Sequence, residues 1–417
     1  RRGAAVLDAA DRAVARARAL GHAPSLTAAL ATRARIAEVQ QDVSGEIAIL
    51  REAVEVAARA HDDEAATEAW ATLVRLVGYH QGRTDEAKAI MPAARAASAR
   101  IGDPPLLLAM VLTNEGHVLV AGDPQGALAT LERARELLVA AGADRADSPA
   151  AGRYGSLLQA LGSAYLAVER HDDAERHLRA AIAIYDRTWG PDTPESGFAY
   201  MVLGEALQFH DRAAAERALR ESVRIRRVYG DDTAALATSM VALSEVIGRR
   251  GDAAEALAMA ERAAALARST IRAGDPRIAS ILATLADQYT ETRRYDEALA
   301  VYDEVLAIAQ RDRIGTVNVA AWWINRAEIA RTLGRCNTAL ADYRRGIELA
   351  EQLAGKTSGY VAAGLNGTGW CLIALGRTTE AIAALEQSVT HEVAAGFDID
   401  VAKTRAKLAE LRARRTP

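Results

Sequence analysis

The stretch TWGPDTPESG, Thr188–Gly197, decides the fold of this chain. Gly190 is the residue type expected just past a helix C-terminus, because glycine enters the left-handed region without a Cβ clash. Thr193 has the chemistry of an N-cap, and Pro194 suits the first helical position, where no backbone N–H is required. The segment therefore stops one helix, turns, and starts another. Weaker versions recur as IGDPPL from Ile101, YGDDTA from Tyr229, AGDPRI from Ala273, IGTVN from Ile314 and LAGKTSG from Leu353. The stop glycines are Gly102, Gly142, Gly190, Gly230, Gly274, Gly315, Gly355 and Gly396, separated by 40, 48, 40, 44, 41, 40 and 41 residues. The same step backwards reaches His61 and then Gly21.

Each interval holds a second, tighter break, as in QGRTDEA, ERHDDAE, RRGDAAEA, TRRYDEA and LGRTTEA. Apolar residues recur at three and four on both sides of it, so each half reads as an amphipathic helix. A period of two helices and two turns is the pattern of an α-solenoid, and no alternating strand pattern interrupts it. The expected fold is all-α: one continuous right-handed superhelix of about nine helical hairpins over residues 22–396. Residues 1–21 are expected as a partial repeat, the second helix of a preceding hairpin, and 397–417 as a terminal cap helix.

The repeats share residues as well as period. Leu161, Gly162 and Tyr165 of LGSAY are echoed by LGEAL at Leu203, LSEVI at Leu243 and LADQY at Leu285. After the mid-turn a small residue recurs: Ala87, Ala127, Ala174, Ala215, Ala256, Ala298, Ala339 and Ala381. Four residues later stands a large one, Met91, Leu131, Leu178, Leu219, Tyr302, Tyr343 or Leu385, with Ala260 the exception. Small residues at a helix crossing let the backbones approach, and the large residue fills the space beside them. This pattern resembles the tetratricopeptide repeat, and the long step resembles the variety found in kinesin light chains. VGYHQGRTDEAKAIMPAARAASARIGD also looks like the C-terminal region of myxobacterial serine/threonine protein kinases, in which a kinase domain precedes a repeat array. That resemblance implies a fragment of a longer bacterial signalling protein.

Composition excludes several classes. Of 417 residues, 50% are hydrophobic and 5% aromatic, and the net charge is −4, so there is material for a large core but no basic excess for nucleic acid or an anionic membrane surface. Two cysteines, Cys336 and Cys371, form no disulfide framework, and both read as unreactive in a reducing, cytoplasmic setting. No apolar run reaches the length of a membrane span.

The motifs that carry chemistry are incomplete. AGKTSG at Ala354 lacks the first glycine of a phosphate-binding loop, since position 350 is alanine, and it reads as a helix C-cap. HEVAA at His391 lacks the second histidine of a zinc-protease helix. The His-Arg-Asp and Asp-Phe-Gly motifs of kinases are missing, so no catalytic residue, metal or cofactor is expected here. His61 and His171 open HDD segments whose aspartates read as helix caps.

If Leu161, Gly162 and Tyr165 define the packing stripe, the residue after the glycine position faces the concave groove. That register gives Ser163, Glu205, Glu245, Asp287 and Glu328, with Trp370 next; the four acids stand 40, 42 and 41 residues apart. Gln208, Arg249, Thr290, Asn325 and Arg331 are their expected neighbours. Such a ladder reads either as a solvated polar face or as a site for a basic segment. Trp323 is expected in the core and Trp322 toward a surface. The function expected is a non-catalytic interaction module that presents its groove to a protein or peptide segment, monomeric and attached to a signalling enzyme. The alternative is a ligand-sensing array of a transcription activator or nucleotide-switch regulator.

Overall fold

The computed structural model describes residues 2–39, 42–230, 233–271, 274–355, 358–395 and 401–413. The helices of its first part are α1 (Arg2–Leu20), α2 (Ala23–Val39), α3 (Val43–Ala60), α4 (Asp63–Arg75), α5 (Thr84–Arg100), α6 (Pro105–Leu119), α7 (Pro124–Ala140), α8 (Ala151–Ala167), α9 (His171–Trp189), α10 (Pro194–Leu207), α11 (Arg212–Tyr229) and α12 (Ala234–Arg250). They continue with α13 (Ala253–Thr270), α14 (Arg277–Glu291), α15 (Tyr295–Arg311), α16 (Val317–Thr332), α17 (Cys336–Ala354), α18 (Gly359–Ala374), α19 (Thr378–Ala395) and α20 (Val401–Ala413). A π-helical turn, Leu76–His80, extends α4, and no strand occurs among the described residues. The all-α solenoid reading holds. Residues 1–246 and 247–417 form two compact units, with the last turn of α12 in the second.

Helices end where the stops predict. Thr193 caps α10, its hydroxyl accepting from Ser196 N at 3.1 Å, with Pro194 following. Asp62, Asp123, Asp211 and Asp252 cap the helices after them in the same way. Residue 61 shows that the geometry, not glycine itself, is what the period demands: His61 ends α3 in the left-handed region at φ 53°. Near Gly315 that role moves to Arg313, at φ 52°. Gly396 lies outside the described residues, although α19 ends at Ala395. One cap differs from expectation. His171 is already the first residue of α9, so Asp172 and Asp173 lie in the first turn, where they favour the positive end of the helix dipole without capping it.

Successive helices pair as hairpins, α8 with α9 and α16 with α17 among them. All eight small residues of the second helices, Ala87 to Ala381, are fully buried. Their large partners Leu131, Leu178, Leu219, Tyr302, Tyr343 and Leu385 are buried with them. A Cβ placed on Gly162 would lie 2.5 Å from Leu178 Cγ, so glycine is what lets α8 approach α9. Burying a leucine of this kind contributes about 1.5–3 kcal/mol. Around Ala260 the missing volume is made up by Leu257, packed against the cluster that includes Ala260, Leu282 and Tyr302. The residues between Gly142 and α8 form turns tied down by the buried Ala143 and Ala150.

The two tryptophans of α16 exchange their expected roles. Trp322 is 6% exposed and Trp323 only partly buried. Val319, Trp322 and Ile329 share the stripe of α16 that packs into the cluster of Tyr302 and Leu282, while Ile324 and Ala327 face the cluster of Tyr343 and Cys371. Trp323 falls between those two stripes.

Candidate functional site

In the first unit, Gly116, Gly162 and Gly204 mark the crossing on α6, α8 and α10, each set against a leucine of the paired helix: Leu131, Leu178 and Leu219. The residues that follow, His117, Ser163 and Glu205, therefore share one register, extended by Tyr79 after Gly78 and by Glu245 after the buried Ser244. His117 is 5% exposed, and its Nδ1 makes no hydrogen bond. Burial, assisted by the Arg75 charge, pushes its imidazole down to about 3, so it is neutral at physiological pH. Its ring lies 5.3 Å from that of Tyr79, which in turn lies 5.8 Å from Phe198. Ser163 Oγ is likewise buried without a hydrogen-bond partner. Glu205 is partly buried. Burial first, and then the negative charge of Glu245, push its carboxyl up to about 7 against the opposing field of Arg226. Gln208 closes α10 and is already engaged by a neighbouring group.

In the second unit the same register gives Asp287, Glu328 and Trp370, in different surroundings. The buried phenol of Tyr302 donates to Asp287, and Asn325 Nδ2 donates to Asp287 at 3.4 Å and to the Tyr302 oxygen at 3.1 Å. Glu328 accepts from Tyr343 at 2.5 Å and is gripped by Arg331, whose Nε lies 3.1 and 3.0 Å from its two oxygens. Burial would raise the Glu328 pKa, but those bonds outweigh it and hold the carboxyl below its ordinary value. Trp370 is covered by Lys403, 5.6 Å from its ring centre. Arg249, in the last turn of α12, is engaged by neighbours, and Thr290 bonds back to the Ala286 carbonyl. The acids thus occupy equivalent positions with unlike partners. Those of the second unit are tied to tyrosines, whereas Leu219 stands at the tyrosine position of the hairpin that carries Glu205. The second unit also has a hollow of about 300 Å³ between α15, α16 and α17, but its charges are paired, Arg326 with Asp303 at 2.8 Å and Arg335 with Asp296 at 3.2 Å.

The sequence model of the tetratricopeptide repeat matches residues 154–227, 232–311 and 318–391, more than half of the chain. The chain belongs to the tetratricopeptide repeat family. A search of the curated proteins finds no match. Among solved structures, the chain is similar to a Rap protein complexed with competence and sporulation factor, at 14% identity and a TM-score of 0.56, covering 83% of this chain and 98% of that one. A putative kinesin light chain repeat protein from Podosopora anserina matches at 18% identity and a TM-score of 0.43, over 48% of this chain and 96% of that one. BtubC from P. vanneervenii matches at 22% identity and 0.39, over 50% and 91%. Tetratricopeptide arrays serve as protein-interaction scaffolds, and this chain is built as one.

Sequence reasoning began the groove register at Ser163 and missed two earlier members, Tyr79 and His117. The signal was present: VGYH and EGHV carry a crossing glycine followed by the next residue of that register, as LGSAY and LGEAL do. It also missed Glu46, Arg75 and Glu195, which come together only through the packing of distant repeats. Among the described residues no cluster of His, Cys, Asp and Glu could hold a metal, and no helix is long and apolar enough to cross a membrane.

Proposed function

We propose that this tetratricopeptide array binds an extended basic segment of a partner protein along the residues that follow the helix crossings. In the same reading it does so as a monomeric, cytoplasmic module of a larger bacterial signalling protein such as a serine/threonine kinase. The division into a partial repeat (1–21), an array (22–396) and a cap (397–417) belongs to that reading. The observation that carries it is the pair Glu205 and Glu245: two carboxylates close enough to disfavour each other's charge, one of them pushed up to about 7. A lysine or arginine arriving from outside would favour the ionised form of Glu205. Within the second unit, Asp287, Asn325, Glu328 and Arg331 form hydrogen-bonded clusters that would offer polar edges to a partner segment there. Gln208 and Arg249 flank the register. A Rap protein of similar fold, solved with competence and sporulation factor, supports an array of this size holding a partner.

The test is titration of labelled basic and acidic peptide libraries at low and physiological salt, against wild type and a Glu205→Gln/Glu245→Gln variant. Basic peptides should bind wild type more tightly, the preference should fade with salt, and the variant should lose most of it. Equal binding of basic peptides by both proteins would reduce the ladder to a solvated face.

A further inference from the structure

Arg75, in the last turn of α4, is the centre of a cluster drawn from repeats distant in sequence. Its guanidinium lies 3.2 Å from Glu38 of α2. Its field also reaches Glu46 of α3, His117 of α6 and Glu195 of α10, and Glu38 acts on both Glu46 and Glu195. Exposure falls inward: the Glu38 side chain is 47% exposed, Arg75 24%, and the whole of Glu46 only 3%.

The cluster is unbalanced. Four carboxyls, Glu38, Asp42, Glu46 and Glu195, lie in the field of this one guanidinium or of each other, and the neutral His117 adds no positive charge. Burial first, and then Glu38, push Glu46 up to about 8, while burial also raises Glu195. At neutral pH Glu46 therefore keeps its proton. A second observation is independent of the charge count: His117 Nδ1 is buried and makes no hydrogen bond. A buried polar atom left this way costs about 1–3 kcal/mol, a penalty that a ligand donor or acceptor removes.

We propose that Glu38, Glu46 and Glu195, with Arg75 and His117, form a receptor for one cationic side chain, a lysine or arginine of a partner segment, which enters past Glu38 and ends against Glu46. This rests on the reading that the array binds a basic segment, and adds a second, deeper anchoring point to it. A nitrogen cation suits the site better than a metal ion, because its several N–H donors can be shared among carboxylates spread over three helices. Seating it displaces a proton from Glu46, which then pairs with the ligand.

The experiment uses a short capped glycine peptide with one central lysine, its N-acetyl-lysine counterpart, and free cadaverine, each titrated into the whole chain by calorimetry. The lysine peptide should bind about tenfold more tightly than the acetylated one, with proton release at neutral pH. Glu46→Gln/Glu195→Gln should abolish the difference, and Glu38→Gln, at the half-exposed rim, should reduce it with no risk to the core. Circular dichroism establishes that each variant is folded. If the lysine preference survives both variants but is lost in Glu205→Gln/Glu245→Gln, this receptor is refuted while the functional reading stands. If neither lysine nor acetyl-lysine peptide binds wild type, the receptor is refuted as well. Cadaverine binding as tightly as the peptide would overturn the assignment to a partner's side chain.

Discussion

The hydroxyl of Tyr343, a residue buried at the crossing of α16 and α17, donates a 2.5 Å hydrogen bond to Glu328 Oε2 at the surface. Tyr302 does the same for Asp287 one repeat earlier. The large residue that fills each crossing therefore also fixes the acid beside it, so packing and groove polarity are one arrangement in these two hairpins.

Tyr343→Phe keeps the ring and removes that bond. Loss of a hydrogen bond to a charged group should cost about 1.5–3 kcal/mol, read as a lowered urea midpoint. An unchanged midpoint would mean that Arg331 alone satisfies Glu328.

Ala298→Leu and Ala174→Leu insert volume where the paired helices leave none, and each should destabilise by about 1–3 kcal/mol. Ala129, exposed on α7, is the control, and leucine there should be nearly silent. Ala234 is the first residue of α12 and partly buried, so it cannot serve as that control. Chemical denaturation of the three variants decides the matter, and equal midpoints would mean the register is wrong.

The pH dependence of stability follows from Glu46. Its folded pKa of about 8 lies above the unfolded value of 4.5, so its contribution is complete below pH 4.5 and is lost as pH rises through 8. Glu46→Gln cannot titrate and should be stabilised relative to wild type toward pH 8, by an amount that grows from pH 4.5. His117 acts in the opposite direction. Its depressed folded pKa of about 3 contributes stability above pH 6.5 that is lost as pH falls toward 3. Thermal melts across pH 4–8 should show the Gln variant flattening only the alkaline decline; parallel curves for the two proteins would refute this account.

Cys336 and Cys371 are both buried, and burial together with the neighbouring Cys336 thiol pushes Cys371 up to about 12. Alkylation by iodoacetamide at neutral pH should be slower by orders of magnitude in the native chain than in urea. Mass spectrometry of the labelled peptides reads the rate, and fast native labelling of Cys371 would contradict the packing.

Much of the fold was legible because its determinants are local. Gly190, Thr193 and Pro194 act on their own backbone, and the Ala298-to-Tyr302 spacing lies within one helix. The register of residues that follow the crossings was legible for the same reason, since it counts from Gly162 and Gly204. What the sequence could not show was the company each acid keeps. Nothing in the local pattern distinguishes Glu205 from Glu328, because the difference lies in whether the facing helix offers Leu219 or Tyr343. The Arg75 cluster joins residues up to four repeats apart and has no spacing rule at all. The exchange of Trp322 and Trp323 is a rotation of one residue about the helix axis, within the tolerance of pattern counting.

The π-helical turn at Leu76–His80 has a consequence for how this chain can change. A π turn is what an α-helix makes of one inserted residue, because the extra residue is absorbed as a bulge. Everything after it is turned by about 100° relative to a regular helix. Arg75, just before the bulge, and Tyr79, within it, are thereby freed from a common helical phase, and one helix can serve two inner surfaces. Deleting a single residue here would restore the regular helix and swing Tyr79 away from His117 and Phe198. A one-codon change would then rewire the interior around Tyr79 while every other side chain stayed the same.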